Sequence, residues 1–277
     1  MKISISNLAW DAAEDDEVYQ TMLAHSVEGI EVAPTKVWPN PDEADGNSVD
    51  LFRNHWLHRN IQVVAMQSLL FGRPELKLFA DDVSRCDTIL YLAKVIRMAA
   101  RLGVRVLVFG SPKNRAKGSL SNAEAMSVAV DFFSELGEIA NRFGVIVCIE
   151  PNPPEYGCDF IRDTGEALEL IRRVNHPGFR LHLDSAIMTM NGEDPEEAIG
   201  SGIDYLEHFH VSEPELAVIG TRATDHARIA SCLQRFNYQH WASIEMKTTA
   251  SSSNVQSVAS ALEFVNHAYR APVLRAQ

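Results

Sequence analysis

Four residues able to ligate a divalent cation stand at or near the ends of β-like runs in the second half of the chain. They are Glu150 in "VIVCIE", Asp184 in "FRLHLD", His210 in "HFHVS" and Glu245 in "SIEMK". Their spacings are 34, 26 and 35 residues, each about the length of one strand and one helix. Three carboxylates and one imidazole form a hard, mostly oxygen donor set. Such a set suits Mn²⁺, Mg²⁺ or Co²⁺ and still accommodates Zn²⁺, which more often takes sulfur-rich tetrahedral sites. One buried acid at a strand end is ordinarily a hydrogen-bonded structural residue. Four of them brought together without a cation would repel one another and lose hydration, so the recurrence predicts a metal site.

The elements that must position these residues are legible as alternating short β-branched runs and longer amphipathic stretches. Strands are expected near 2–6, 28–32, 61–66, 104–109, 145–150, 179–184, 204–211 and 241–246. Between them, "CDTILYLAKVIRMAARLG" places Ile89, Leu92, Ala93, Ile96, Ala99 and Ala100 on one helical face and ends on Gly103. "SNAEAMSVAVDFFSELGEIANRFG" opens on a Ser/Asn cap and closes on Gly144, and "DTGEALELIRRVNHPG" starts at Asp163 and Thr164 and stops before Pro177.

Eight βα units in 277 residues match an α/β (β/α)8 TIM barrel, a single domain over residues 1–277. A doubly wound sheet would carry a glycine-rich turn after its first strand, where this chain has "NLAWDAAEDD". No Pro/Gly/Ser linker divides the chain, and "TTASSSN" at 248–254 reads as a short polar loop before the last helix. The segments after strands two, three, four, five and seven are long, whereas returns such as Gly103 to Val104 are almost absent. A pocket is therefore expected at the carboxyl ends of the strands.

Composition narrows the function classes. The formal charge is −12, from 25 Lys and Arg against 37 Asp and Glu, which argues against a nucleic-acid partner. No run of 18 apolar residues suggests a membrane helix, and "MKISISNLAW" lacks the apolar core of a secretory signal. Cys86, Cys148, Cys158 and Cys232 show no CxxC spacing and read as cytoplasmic free thiols. The expected partner is a small-molecule substrate, and a homodimer is permitted.

Other polar residues near the strand ends extend the candidate list. Arg115 in "FGSPKNR" is placed to hold a substrate carboxylate or phosphate, and Lys247, two residues after Glu245, to contact a substrate oxygen from the rim. Trp10 offers an apolar wall after strand one. His182 and His208 precede Asp184 and His210 by two residues, which points them inward one layer deeper, where structural hydrogen bonding is expected.

The strand-end set resembles the metal tetrad of the xylose-isomerase-like TIM barrel superfamily, in its branch of sugar-phosphate isomerase/epimerase-like proteins. That branch includes ketose 3-epimerases and hydroxypyruvate isomerase. The likeness spans nearly the whole chain: "GIEVAP", "AARLGVRVLVFGSP", "IEPNP", "LHLDSA", "FHVSE" and "FNYQHWASIEMK". It implies that Glu150 and Glu245 are an acid/base pair facing opposite sides of a chelated hydroxy-ketone, with Asp184 and His210 as supporting ligands. The residue types allow this independently, since a carboxylate removes a proton beside a carbonyl only when a cation offsets the developing oxyanion. Ketose 3-epimerases commonly carry a substrate-contacting His three residues after the Asp and an Arg six after the ligand His. Here those positions are Ile187 and Leu216.

The expected activity is a divalent-metal-dependent isomerase or epimerase of a small hydroxy-carbonyl compound, in carbohydrate metabolism. The alternative is a lyase or dehydratase using the same site. A nuclease resembling endonuclease IV would need further histidines and a basic groove, and a non-catalytic sugar-binding barrel is the remaining rival.

Overall fold

A computed structural model describes residues 1–249 and 253–270. All eight expected strands form: β1 Lys2–Ser6, β2 Gly29–Val32, β3 Gln62–Met66, β4 Val106–Phe109, β5 Ile146–Ile149, β6 Phe179–Asp184, β7 Leu206–Ser212 and β8 Trp241–Glu245. They pair in parallel in chain order and close into a barrel, β1 lying against β8 with Lys2 opposite Trp241. Glu150 stands just past β5, yet its amide still donates to the Phe109 carbonyl, so the ladder reaches the candidate ligand.

The helices are α1 Asp15–Ala24, α2 Gly46–Leu57, α3 Asp82–Leu102, α4 Asn122–Arg142, α5 Thr164–Val174, α6 Ser185–Asn191, α7 Pro195–Gly202, α8 His226–Arg235 and α9 Asn254–Arg270. Their ends follow local chemistry. Ser121 caps α4 in a capping box with Glu124, and Asp163 caps α5 by accepting from the Glu166 amide. Gly103 ends α3 at φ +80°, a conformation open to glycine at little cost, and the chain turns there straight into β4. Helix α3 begins at Asp82 rather than near Cys86, because Asp81 supplies the N-cap. The expected polar loop at 248–254 is covered only at its two ends, since 250–252 lie outside the described residues.

Strand alternation divides the side chains between two environments. Phe109 on β4 packs edge-on against Phe133 of α4 at 5.3 Å, in the layer between sheet and helices. Val106, Val108, Ile146 and Cys148 form a separate buried cluster with Val64 and Ala65, and the half-buried Trp241 packs against it. Ile146 and Cys148 share the face of Glu150, so this cluster fills the barrel beneath it. Above it the interior turns polar, with Ser4, Glu31, His182, His208, His210 and Ser243 all buried.

The long segments expected after β2, β3, β4, β5 and β7 gather at the strands' carboxyl ends, each carrying a short 3-10 turn or a coil before its helix. The four cysteines are free thiols, and among the described residues no helix is long and apolar enough to cross a membrane.

Candidate metal centre

The structure brings Glu150, Asp184, His210 and Glu245 together around one atom. His210 Nδ1 lies 3.3 Å from Glu245 Oε2, 3.6 Å from Glu150 Oε1 and 3.8 Å from Asp184 Oδ2. Two of the three acids are held from outside the cluster. Asn152 Nδ2 donates to Glu150 Oε2 at 3.0 Å, and the Ser212 hydroxyl donates to Asp184 Oδ2 at 2.7 Å. Asp184 Oδ1 caps α6 by accepting from the Ile187 amide. Gly110 lies so close that a Cβ there would sit 2.3 Å from Glu150 Oε2.

A residue that strand-end reasoning passed over completes the centre. Glu31 on β2 is fully buried, and its Oε2 meets His210 Nε2 at 2.9 Å while Oε1 lies 3.4 Å from His208 Nε2. This carboxylate fixes the His210 ring so that Nδ1 faces the three acids, the arrangement that orients metal-ligating histidines generally. "GIEV" carried one signal, a lone Glu inside an apolar strand. Its partner lies 179 residues away, which local patterning does not reveal.

The electrostatics are those of a site short of positive charge. Burial raises the pKa of Asp184 and the charges of Glu245 and Glu150 raise it further, to about 7. Glu245 is raised as well, by burial and then by Glu150 and Glu31 against the opposing pull of His210. Burial opposes ionisation of Glu150 and Glu31, but their histidine neighbours outweigh it and both carboxyls lie below the usual range. Burial likewise disfavours the His210 imidazolium, yet Glu31 and Glu245 hold its pKa well above the ordinary value. The acids that favour the charged form of His210 are the ones a cation would satisfy.

His182 belongs to this cluster too. Its Nε2 lies 3.3 Å from Glu150 Oε1, and burial with the charge of His210 brings its pKa down to about 3. Among the described residues, two groupings have ligand atoms within 4.8 Å of one another: Glu150, His182, Asp184 and His210, and His182, His208 and His210. Buried nitrogens without partners, His210 Nδ1 among them, together with mutually repelling acids, are what a divalent cation would resolve.

Above the cluster opens a cavity of about 340 Å³, lined by Glu150, Asp184 and Glu245 with Asn152, Tyr156, Ile187 and Leu216. Tyr156 spans two loops, its hydroxyl accepting from the Glu215 amide at 3.1 Å. Ile187 and Leu216, which replace the His and Arg of the ketose 3-epimerase pattern, give this wall an apolar character. A larger groove of about 700 Å³ between the loops after β3 and β4 is lined by Arg73, Lys77 and Lys113 and carries neither carboxylate nor imidazole.

Three expected substrate contacts fall elsewhere. Arg115 is fully buried and gives its donors to the carbonyls of Phe109, Gly110, Glu150, Phe160 and Ile161. It ties the loops after β4 and β5 together behind Glu150, and no face is left for a substrate anion. Trp10 is buried with its indole N–H donating to Asp15 Oδ1, outside the cavity lining, and its carbonyl accepts from Lys36 Nζ. Lys247 is exposed past the end of β8, also outside that lining.

Residues 21–267 match the family of xylose isomerase-like TIM barrels. The chain belongs to that family. Solved members share its architecture at low identity. The D-psicose 3-epimerase of Clostridium cellulolyticum H10, crystallised with D-tagatose, superposes with a TM-score of 0.80 at 16% identity, covering 97% of this chain and 99% of its own. The IOLI protein, with a bound zinc atom, gives 0.78 at 18%, covering 97% and 98%. The probable 3-DHS dehydratase AsbF of Bacillus anthracis gives 0.71 at 17%, covering 96% and 99%. No curated protein matches by sequence.

Proposed function

We propose that this xylose isomerase-like barrel is a divalent-metal-dependent isomerase or epimerase of a small hydroxy-carbonyl compound, a sugar or sugar derivative. One observation carries the reading: three carboxylate oxygens converge within 3.8 Å of His210 Nδ1 at the floor of a cavity at the strands' carboxyl ends. Glu150, Asp184, His210 and Glu245 would hold the ion, which would supply positive charge to an oxyanion developing on the substrate.

The chain's own groups do the rest. Glu150 just past β5 and Glu245 at the end of β8 are three strands apart around the barrel, and so approach a molecule in the cavity from different sides. One carboxylate takes a proton from the carbon beside a carbonyl, and the other returns a proton to the product. Asn152 and Gly110 keep Glu150 aimed, while Ser212 and the α6 amide keep Asp184 in place. At about 340 Å³ the cavity is at the small end of ligand sites, which fits a monosaccharide-sized compound better than a polymer. The names of the structural neighbours, an epimerase and a dehydratase, support proton abstraction beside a carbonyl as the shared step. The apolar wall of Ile187 and Leu216 favours a substrate less hydroxylated at that end than a free ketohexose.

The test is solvent exchange. Protein loaded with Mn²⁺ and incubated in D₂O with a panel of keto-sugars and their derivatives is expected to place deuterium on the carbon next to the carbonyl without loss of water. Deuteration accompanied by loss of a β-substituent would assign the lyase chemistry instead. Glu150→Gln and Glu245→Gln are each expected to abolish exchange while folding is retained. Exchange that survives in both variants would refute the acid/base pair.

A further inference from the structure

The ligating atoms around Glu150 are not confined to the four strand-end residues. His182 sits two residues before Asp184 on β6, and its ring nitrogen lies within 4.8 Å of ligand atoms from Glu150, Asp184 and His210. Its ring is fully buried, 4.1 Å centroid to centroid from that of His210. Neither His182 nitrogen has a hydrogen-bond partner. The 3.3 Å approach of Nε2 to Glu150 Oε1 lacks hydrogen-bond geometry.

A neutral imidazole carries one N–H and one lone pair, and leaving both unused in an interior forfeits the hydration of each with nothing in return. Nearly all buried side-chain polar atoms avoid this. His182 does not do so within the protein, since Glu150 Oε1, 3.3 Å from its Nε2, is not placed to accept from it. A cation at the centre of Glu150, Asp184 and His210 would instead receive the lone pair directly.

We propose that His182 is a fifth protein ligand of the cation, approaching from inside the barrel, and that this second imidazole shifts the site's preference from Mn²⁺ and Mg²⁺ toward Zn²⁺ or Co²⁺. The proposal rests on the reading of Glu150, Asp184, His210 and Glu245 as a metal site. Imidazole nitrogen favours the later first-row ions, whereas all-oxygen sets favour Mg²⁺ and Mn²⁺. Because strand alternation places His182 one layer below Asp184, it ligates on the side opposite the cavity and leaves the upper face open to substrate. His208 serves as the contrast: its Nε2 faces Glu31 Oε1 at 3.4 Å, behind the His210 ring.

Nitrogen ligands can be counted on the native protein. Metal-free protein loaded with Cu²⁺ as a probe is expected to show two coordinated imidazoles by electron spin-echo envelope modulation, falling to one in His182→Leu and staying at two in His208→Gln. In parallel titrations, His182→Leu is expected to weaken Zn²⁺ binding about tenfold or more and Mn²⁺ binding about threefold or less. A single imidazole in the native protein, or two persisting in His182→Leu, would overturn the role of His182. Native protein that binds none of these ions would overturn the metal reading itself. The native count needs no variant, and circular dichroism of metal-free His182→Leu separates a lost ligand from a lost fold.

Discussion

Replacing Gly110 by Ala tests whether the position of the Glu150 carboxylate matters apart from its charge. The added Cβ would lie 2.3 Å from Glu150 Oε2, whereas Cβ contacts under 3.0 Å essentially never occur, so the carboxylate must retreat by at least about 0.7 Å. Gly110 has no positive φ, so alanine fits the backbone and removes some freedom from the unfolded chain. The colliding atom is the tip of a flexible side chain, and the main loss to folding is the Asn152 hydrogen bond, about 1 kcal/mol. For a chain of this size that is a drop of about 2–4 °C in the melting temperature of metal-free protein. Metal binding should suffer far more, because ligand distances tolerate only about 0.2 Å. We expect Mn²⁺ or Zn²⁺ affinity to fall on the order of 100-fold, the upper part of the range for misplaced metal-site groups. Calorimetric titration of metal-free protein and its thermal unfolding, measured side by side, read the two effects. Native affinity in Gly110→Ala would refute ligation by Glu150. Collapse of the metal-free fold would show instead that Glu150 is a structural clamp.

Three further outcomes are expected. Arg115→Met leaves five buried carbonyls without their shared donor and should destabilise the protein by about 3–5 kcal/mol, measured by urea unfolding; a loss under about 1 kcal/mol would show that the guanidinium does not tie the loops. Metal affinity should fall with acidity by at least about tenfold per pH unit below 7, since Asp184, raised to about 7, must lose its proton to ligate and the His210 ring, raised as well, must lose its own. The folded pKa of Asp184 lies above the unfolded value, so its contribution to metal-free stability is full in acid and is lost between about pH 4 and 7. The melting temperature gained on adding Mn²⁺ should therefore grow over that window, and affinity constant from pH 5 to 8 would refute the assignment. Glu31→Gln keeps the shape behind His210 but removes the charge, and should weaken metal binding about 10- to 100-fold by calorimetry with little change in fold.

The fold was readable because each unit announces itself locally. Val106 to Phe109 and Ile146 to Ile149 are short apolar runs entered through Gly103 and Gly144, and Ser121, Asp163 and Gly103 mark helix ends by their own chemistry. Convergence of Glu150, Asp184, His210 and Glu245 followed from period and topology alone. What stayed hidden depends on partners rather than pattern. Arg115, in a polar loop, has the sequence surroundings of a surface residue, and only the folded chain places five carbonyl oxygens around it. Glu31 required knowing that β2 looks across the barrel at β7. His182 points inward one layer deeper, as strand alternation predicts, but in place of the expected structural hydrogen bonds its ring reaches to 3.3 Å from Glu150. Ile187 and Leu216 are visible in the sequence, and their joint effect on the cavity wall appears only once the loops after β6 and β7 meet.

The pairing of β1 with β8 sets the order in which this protein can be assembled. A chain emerging from synthesis in N-to-C order delivers Glu31 early, Glu150, Asp184 and His210 in the second half, and Glu245 on the strand that closes the ring. Lys2 must wait for Trp241 before either strand has both neighbours. Until then both strands present open edges, and the polar interior that holds Glu31 and three histidines is open to water rather than desolvated. Closure thus takes these side chains out of water and leaves a buried cluster short of positive charge. A growing chain therefore cannot offer all four strand-end ligands to an ion until β8, its last strand, has been made.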